Sequence, residues 1–350
     1  MFSLIKKVAM LAILLTLSAG CMATSGIKLP TLAEIETAKE KVAGDIFLDG
    51  HYDQAPTQNR AGYRQMHPET TAMNITTVGD VIGDKGRIDG MSYKNGTLTV
   101  HEGWLRDGVT DFAPKAYQYT LGTQGFEFTL SGDFFGNGCD SILAYDTNGF
   151  KVSLWENRCL FSKTSKTKFV KRQPMVDAHL QPMISDFLRD FNGYYFVQTC
   201  DVDGEGKDDL VFTARAPNGV ATVMVLYANH PRNRADNLEF GQSPLGYKVE
   251  RQSLGKTGLY IRCGNVHGDA KAEIVVMNEN SKNDMDTYVY SFVGGKFKKG
   301  KRERFDVPLQ INKGTQKVLM FDADLDGHDN LVVIREVSGQ TFMAYADFTK

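Results

Sequence analysis

The stretch that decides the fold runs from Cys200 to Ala214 and reads CDVDGEGKDDLVFTA. Asp201, Asp203 and Glu205 stand at places one, three and five of a loop, Lys207 can offer its backbone carbonyl at place seven, and Asp209 falls at place nine. Gly206 permits the sharp turn that this crowding requires. The chain then becomes LVFTA, an apolar run of strand composition. Carboxylates gathered this closely repel one another unless something cationic sits between them. Calcium takes about six to eight oxygen ligands, and donors at alternate places let one short loop bring several of them to a point.

The pattern returns at FDADLDGHDNLVVIR, from Phe321, where Asp322, Asp324, Asp326, the His328 carbonyl and Asn330 take the same places and Gly327 the turn. Two weaker copies are GDFFGNGCDSILAYD from Gly132 and GNVHGDAKAEIVVMN from Gly264; a fainter fifth, GDVIGDKGRIDGMSY, begins at Gly79. The first loop places, Asp80, Asp133, Asp201, Asn265 and Asp322, are spaced 53, 68, 64 and 57 residues apart. Self-similarity at such a period marks a repeat architecture. Each loop is preceded by an alternating or aromatic run (MNITTV, FEFTL, GYYFVQT, GLYIR, KVLM) and followed by an apolar strand, a turn and a further strand such as TLTVHEG, KVSLWEN, ATVMVLY or DTYVYSF. Asn95-Gly96, Asn148-Gly149, Asn218-Gly219 and Ser338-Gly339 supply the turn chemistry.

A unit of strand, loop, strand, turn, strand and a variable fourth strand is a propeller blade. The expected fold is therefore all-β, a β-propeller of about five to six four-stranded blades over residues 45–350. The last copy ends after its third strand, so a segment within residues 45–75 is expected to complete that sheet, although the same stretch is long enough for a degenerate sixth blade. Residues 174–193 interrupt the repeat, and the helical spacing of Leu180, Ile184 and Phe187 predicts a small packing helix that accounts for the longest period.

The other copies depart from the ligand pattern. Asn265, Asp269 and Glu273 keep a weaker donor set, but Ala270 replaces the turn glycine and His267 is a poor calcium donor. In the copy from Asp133, Phe135 takes the place of the second carboxylate, which predicts a turn closed by hydrogen bonds. The Asp80 copy has Lys85 at its turn and no clear register, and no metal is assigned to it. An EF-hand would need a bidentate Glu at place twelve and flanking helices. Place twelve is Phe212 or Val333, and the flanks are strand-like.

Taken together, the loops from Asp201 and Asp322 and their strand-forming flanks resemble the integrin-type propeller repeats known as FG-GAP or VCBS repeats, with the pattern D-x-D-x-D-G-x-x-D-L in a blade hairpin. The resemblance covers roughly residues 72–350. It implies a calcium-bearing propeller of bacterial surface or secreted proteins, with two structural Ca2+ sites.

The N-terminus sets the expected compartment. Lys6 and Lys7 precede an apolar run from Val8 to Leu17, and Ser18, Ala19 and Gly20 lead to Cys21. This reads as an export signal over residues 1–20. The run Leu17-Ser18-Ala19-Gly20-Cys21 resembles the lipobox of bacterial lipoproteins, with Ser18 where the family usually has Leu; it implies lipidation at Cys21 and anchoring in the cell envelope. Residues 21–44 form a tether, in which Thr31 and Glu34 make a capping box for a short helix from Leu32 to Val42. Four further cysteines, Cys139, Cys159, Cys200 and Cys263, would meet an oxidising compartment, and three pairings are open to them; a chain this long can also bury them as free thiols.

The formal net charge of −2 gives no reason to expect a nucleic acid partner. None of the seven histidines joins a catalytic motif, and no G-x-S-x-G, H-E-x-x-H, P-loop or dinucleotide fingerprint occurs. No catalytic residue is assigned. Two basic runs, Lys163 to Arg172 and Lys296 to Arg304, fall where outer strands are expected, and lysines there protect sheet edges from pairing with other chains. The functional expectation is an envelope-anchored module that presents one propeller face to a protein or glycan. The competing readings are a surface-polymer lyase or hydrolase and a subunit of an envelope complex.

Overall fold

The computed structural model describes residues 61–65, 75–82, 88–106, 109–121, 128–145, 152–158, 169–172, 175–176, 180–191, 195–216, 218–229, 238–257, 260–279, 285–303, 316–337 and 340–348. The export signal, Cys21, the tether and its short helix lie outside the described residues.

Five sheets follow one another along the chain, antiparallel save for one two-residue parallel pair in the third. After β1 (Ala61–Gln65), blade one comprises β2 (Thr77–Gly79), β3 (Asp89–Lys94), β4 (Thr97–Arg106) and β5 (Val109–Thr120). Blade two comprises β6 (Phe128–Gly132), β7 (Ser141–Tyr145), β8 (Val152–Asn157) and β9 (Phe169–Arg172). After β10 (Met175–Val176) and helix α1 (Gln181–Asp190), blade three has β11 (Tyr195–Cys200), β12 (Asp209–Arg215) and β13 (Val220–Asn229). Its fourth place is shared by β14 (Glu239–Gly241) and β15 (Arg251–Thr257), which pair with the two ends of β13. Blade four comprises β16 (Tyr260–Gly264), β17 (Glu273–Glu279), β18 (Met285–Val293) and β19 (Lys296–Glu303). Blade five comprises β20 (Gln316–Phe321), β21 (Asn330–Val337) and β22 (Gln340–Ala346).

The expected closure is present. β1 pairs antiparallel with β22, Ala61 opposite Ala346 and Gln65 opposite Phe342, so the N-terminal segment supplies the outer strand of the last blade. Each innermost strand neighbours two others, in the cycle β2, β6, β11, β16, β20 and back to β2. The molecule is thus a five-bladed propeller, and the segment that could have made a sixth blade completes the fifth.

Period-two alternation explains why the second strand of blades two to five is largely apolar. Leu210 and Phe212 face blade two while Val211 faces blade four; Ile274 and Val276 face blade three while Val275 and Met277 face blade five. Leu331 and Val333, against Val332 and Ile334, repeat this at the next two junctions, and Ile142 and Ala144 face blade one. A strand buried on both faces has no polar face to show. One apolar cluster fills each of the five junctions. Helix α1 sits in the junction of blades two and three, burying Ile184, Phe187 and Leu188, as its spacing predicts. Trp155 is buried as packing, whereas Trp104 is 38% exposed. The described parts of both basic runs lie on β9 and β19, the outermost strands of their blades.

Neighbouring blades are also clasped by polar groups at the loop end. The residue at loop place eight donates its N–H to the carbonyl at place one of the preceding blade: Asp140 to Asp80, Asp208 to Asp133, Ala272 to Asp201 and Asp329 to Asn265. In three of these the carboxylate returns the bond, accepting the place-one N–H at 3.0 Å (Asp140), 2.7 Å (Asp208) and 2.8 Å (Asp329). Those three junctions carry Gly79, Gly132 or Gly264 just before place one, where a Cβ would come within 2.1, 2.9 and 2.7 Å of the clasping carboxylate oxygen. At the junction of blades three and four the carboxylate is replaced by Ala272 and the glycine by Cys200, which forms a disulfide with Cys263 of the next inner strand. One junction has exchanged a hydrogen-bonded clasp for a covalent one. Cys139 is disulfide-bonded as well.

Candidate metal centres

The five loops join the first strand of each blade to its second, and their described residues repeat parts of one hydrogen-bonded frame. The place-one side chain accepts backbone N–H bonds from places five and six: Asp133 from Asn137 and Gly138, Asp201 from Glu205 and Gly206, Asp322 from Asp326 and Gly327. Asn265 accepts only that of Asp269. At place nine a buried polar side chain accepts the place-two N–H: Asp209 from Val202, Glu273 from Val266 and Asn330 from Ala323. Asp89 does the same for Val81, so its loop is one residue longer than the others, which is why that copy shows no register in sequence.

Within this frame two loops gather carboxylates. Oxygens of Asp201, Asp203 and Asp209 all lie within 4.8 Å of one another, and so do those of Asp322, Asp324 and Asp326. Strands flank both loops, which rules out the EF-hand arrangement there. In the first loop Asp203 and Asp209 are buried. Burial pushes the Asp201 carboxyl up to about 6 and raises Asp209 well above the usual carboxylate range. Buried acids of this kind favour a proton or a cation. The donor chemistry, three hard carboxylate oxygens converging in each loop, therefore fits a hard divalent ion.

The remaining expected ligands are placed differently. Glu205 pairs with Lys207 at 2.8 Å and stands apart from the first cluster. Asp209 also accepts the Ala228 N–H at 2.9 Å, so it ties the loop to the third strand of its blade. In the second loop Asp326 accepts the His328 N–H at 3.0 Å, and the Asn330 amide donates to Asp347 while its oxygen holds Ala323. In the weaker loop, which holds Asn265, Asp269 and Glu273, no trio of acidic or histidine side chains converges among the described residues. There His267 Nδ1 sits 3.0 Å from Glu273 Oε1, and this hydrogen bond raises the imidazole pKa. A protonated ring would be a cation built into the loop. The Asp133 loop is closed by hydrogen bonds alone, as its sequence predicts.

Two contacts escaped sequence reasoning. Ser243 Oγ, from the segment leading to β15, donates to Asp203, and Asp347, beyond the last strand, receives Asn330. Neither lies near its partner in sequence, so no local spacing could reveal it. The clasping aspartates were legible in principle, because each Asp at place eight answers a glycine in the preceding repeat.

The ring axis carries two cavities. One, of about 440 Å³ at the loop end, is lined by Asp133, Asp140, Asp201, Asp208 and Asp329 together with Lys207. The other, of about 760 Å³, is lined by all five inner strands nearer their starts. Val78, Thr199, Cys263 and Met320 line both, which makes them the waist between the two.

No family model and no curated protein matches the chain. Among solved structures it is similar to the Photorhabdus luminescens Tc holotoxin pore, at 12% identity and a TM-score of 0.41, over 83% of this chain but only 14% of the length of that one. It is also similar to a GH62 hydrolase in complex with xylotriose, at 11% identity and a TM-score of 0.35, over 78% of this chain and 92% of that one. Neither likeness bears on activity or ligand.

Proposed function

We propose that the chain is a calcium-stabilised propeller, exported and lipidated at Cys21, that serves as a non-catalytic binding or scaffold module for a protein or glycan of the cell envelope. The observation that carries the reading is the recurrence of three converging carboxylates at matching corners of two blades, Asp201/Asp203/Asp209 and Asp322/Asp324/Asp326. A bound ion would neutralise the mutual repulsion of each set and hold the loop in one conformation, which fixes the surface formed by neighbouring loops. Glu205 and the Lys207 and His328 carbonyls are further donors within reach of the same loops in sequence. Anchoring rests on the first 21 residues: a diacylated cysteine carries two chains, enough for stable attachment.

The reading is tested by melting the purified protein in calcium and in chelator, and by fractionating cells that express the wild type and Cys21→Ser. It predicts a lower melting temperature in chelator and release of the serine variant from the membrane fraction. A melt that chelation leaves unmoved, together with membrane association independent of Cys21, would overturn it.

A further inference from the structure

The wide axial cavity differs from the loop end in charge. No Asp or Glu lines it among the described residues, and its single cation is Arg262. Aromatic side chains share the lining with that cation, namely Tyr93, Tyr145, Tyr195, Phe196 and Tyr260, with threonines and a glutamine between them. Phe196 is 44% exposed, unusual for so large an apolar ring, and the Arg262 guanidinium lies 4.6 Å from its centre.

Arg262 has a structural task that does not require its charge. Its Nε–H donates to the Val318 carbonyl of blade five at 2.7 Å, and Nη1 donates to Ile261 O at 2.8 Å. Gln198, two places before the loop-preceding residue of blade three as Arg262 is in blade four, makes the equivalent bond to Ile261 O of the next blade at 3.2 Å. A neutral amide therefore suffices to stitch adjacent inner strands. A partly buried arginine costs desolvation that a glutamine does not, and no carboxylate pairs with Arg262 among the described residues. Burial pushes its pKa down to about 10, which still leaves it charged at neutral pH. Of its five N–H groups two are spent on carbonyls, and among the described residues Nη2 has no protein acceptor. The Nη1–Nη2 edge is the fork that receives a carboxylate through two parallel bonds.

We infer that this cavity binds a carboxylate-bearing saccharide, Arg262 taking the carboxylate and Phe196 with the tyrosines taking the sugar faces. One fixed cation among neutral hydroxyl and aromatic groups matches a ligand with one negative charge per unit and hydroxyls elsewhere. A volume of about 760 Å³ lies within the usual range of ligand cavities. Glycosidic hydrolysis by the usual route needs a pair of carboxylates, and none lines the cavity among the described residues, so the site is assigned binding and not hydrolysis. The inference deepens the binding-module reading and rests on it.

The test is calorimetric titration of the full chain with uronate trimers (galacturonate, mannuronate, guluronate), with neutral maltotriose and with a tripeptide bearing a free C-terminus, followed by chromatography of the saccharides. Arg262→Gln keeps the inter-blade stitch, as Gln198 shows, and removes the charge; Phe196→Ala removes an exposed ring. At least one uronate should bind, with affinity lowered tenfold or more by Arg262→Gln and fivefold or more by Phe196→Ala, both variants retaining the wild-type melt. Equal affinity for maltotriose, tighter binding of the tripeptide, unchanged affinity in both variants, or no binding by any uronate would each overturn the assignment. Shortened uronate products would leave the site in place and refute the non-catalytic reading instead.

Discussion

The clasp between blades four and five can be broken from either side, and the two ways of breaking it should not add. Gly264→Ala would set a Cβ 2.7 Å from Asp329 Oδ2 and 3.1 Å from Asp329 Cβ. The carboxylate cannot retreat without leaving the Asn265 N–H, which it holds at 2.8 Å. Losing a charge-assisted bond costs about 1.5–3 kcal/mol, and the stiffer unfolded chain returns roughly 0.4–1 kcal/mol, so the variant should lose about 1–2 kcal/mol. Asp329→Ala abandons the same N–H and should cost about 2 kcal/mol. In the double variant the new methyl meets no carboxylate, only the Cβ atoms of residue 329 and Met320 at 3.1 and 3.2 Å, and the bond can be lost only once. The total should therefore stay near 2 kcal/mol against an additive sum of about 3–4, a coupling of at least about 1 kcal/mol. Urea unfolding of the four proteins at fixed calcium and pH 7.5 measures it. Coupling within about 0.5 kcal/mol of zero would show that Gly264 and Asp329 do not act as one clasp.

Two further perturbations probe the polar frame. Removing the Cys200–Cys263 bridge, which spans 63 residues, should cost about 4 kcal/mol by loop entropy, read as a lower urea midpoint of the Cys200→Ser/Cys263→Ser double variant without reductant; no shift would mean that the junction lacking a carboxylate clasp needs no covalent one. Burial raises Asp89 to about 6 and lifts Asp140 in the same direction, so between pH 4 and 6 the folded chain holds protons that the unfolded chain has released. Their contribution to stability is therefore present in full near pH 4 and falls as the pH rises towards 6. The wild type's advantage over Asp89→Asn should widen on acidification from pH 7 to 4, on the order of 3 kcal/mol for the whole Asp89 shift, and an advantage that narrows would contradict the burial argument.

The architecture was legible because it repeats. A polar, glycine-punctuated loop between two strands recurs five times, and each copy corroborates the others even where the acids have decayed. Closure by the N-terminal segment followed from counting strands in the last unit, since Gln340–Ala346 ends one strand short of a blade. What the sequence concealed is non-local. Pairing Cys200 with Cys263 depends on two inner strands lying side by side, and Ser243 reaches Asp203 from 40 residues further along the chain. The wide cavity was invisible for the same reason: Tyr93, Tyr145, Phe196 and Arg262 come from separate blades and meet only at the axis. Glu205 has the spacing of a ligand, and in the fold one of its carboxylate oxygens pairs with Lys207.

Metal content is the most direct measurement of the central claim. The protein equilibrated in calcium and passed through a desalting column should carry two ions per chain by mass spectrometry of the elements, and one each after Asp203→Ala and Asp324→Ala. A wild type that retains no divalent ion, or two single variants that retain both, would contradict the account.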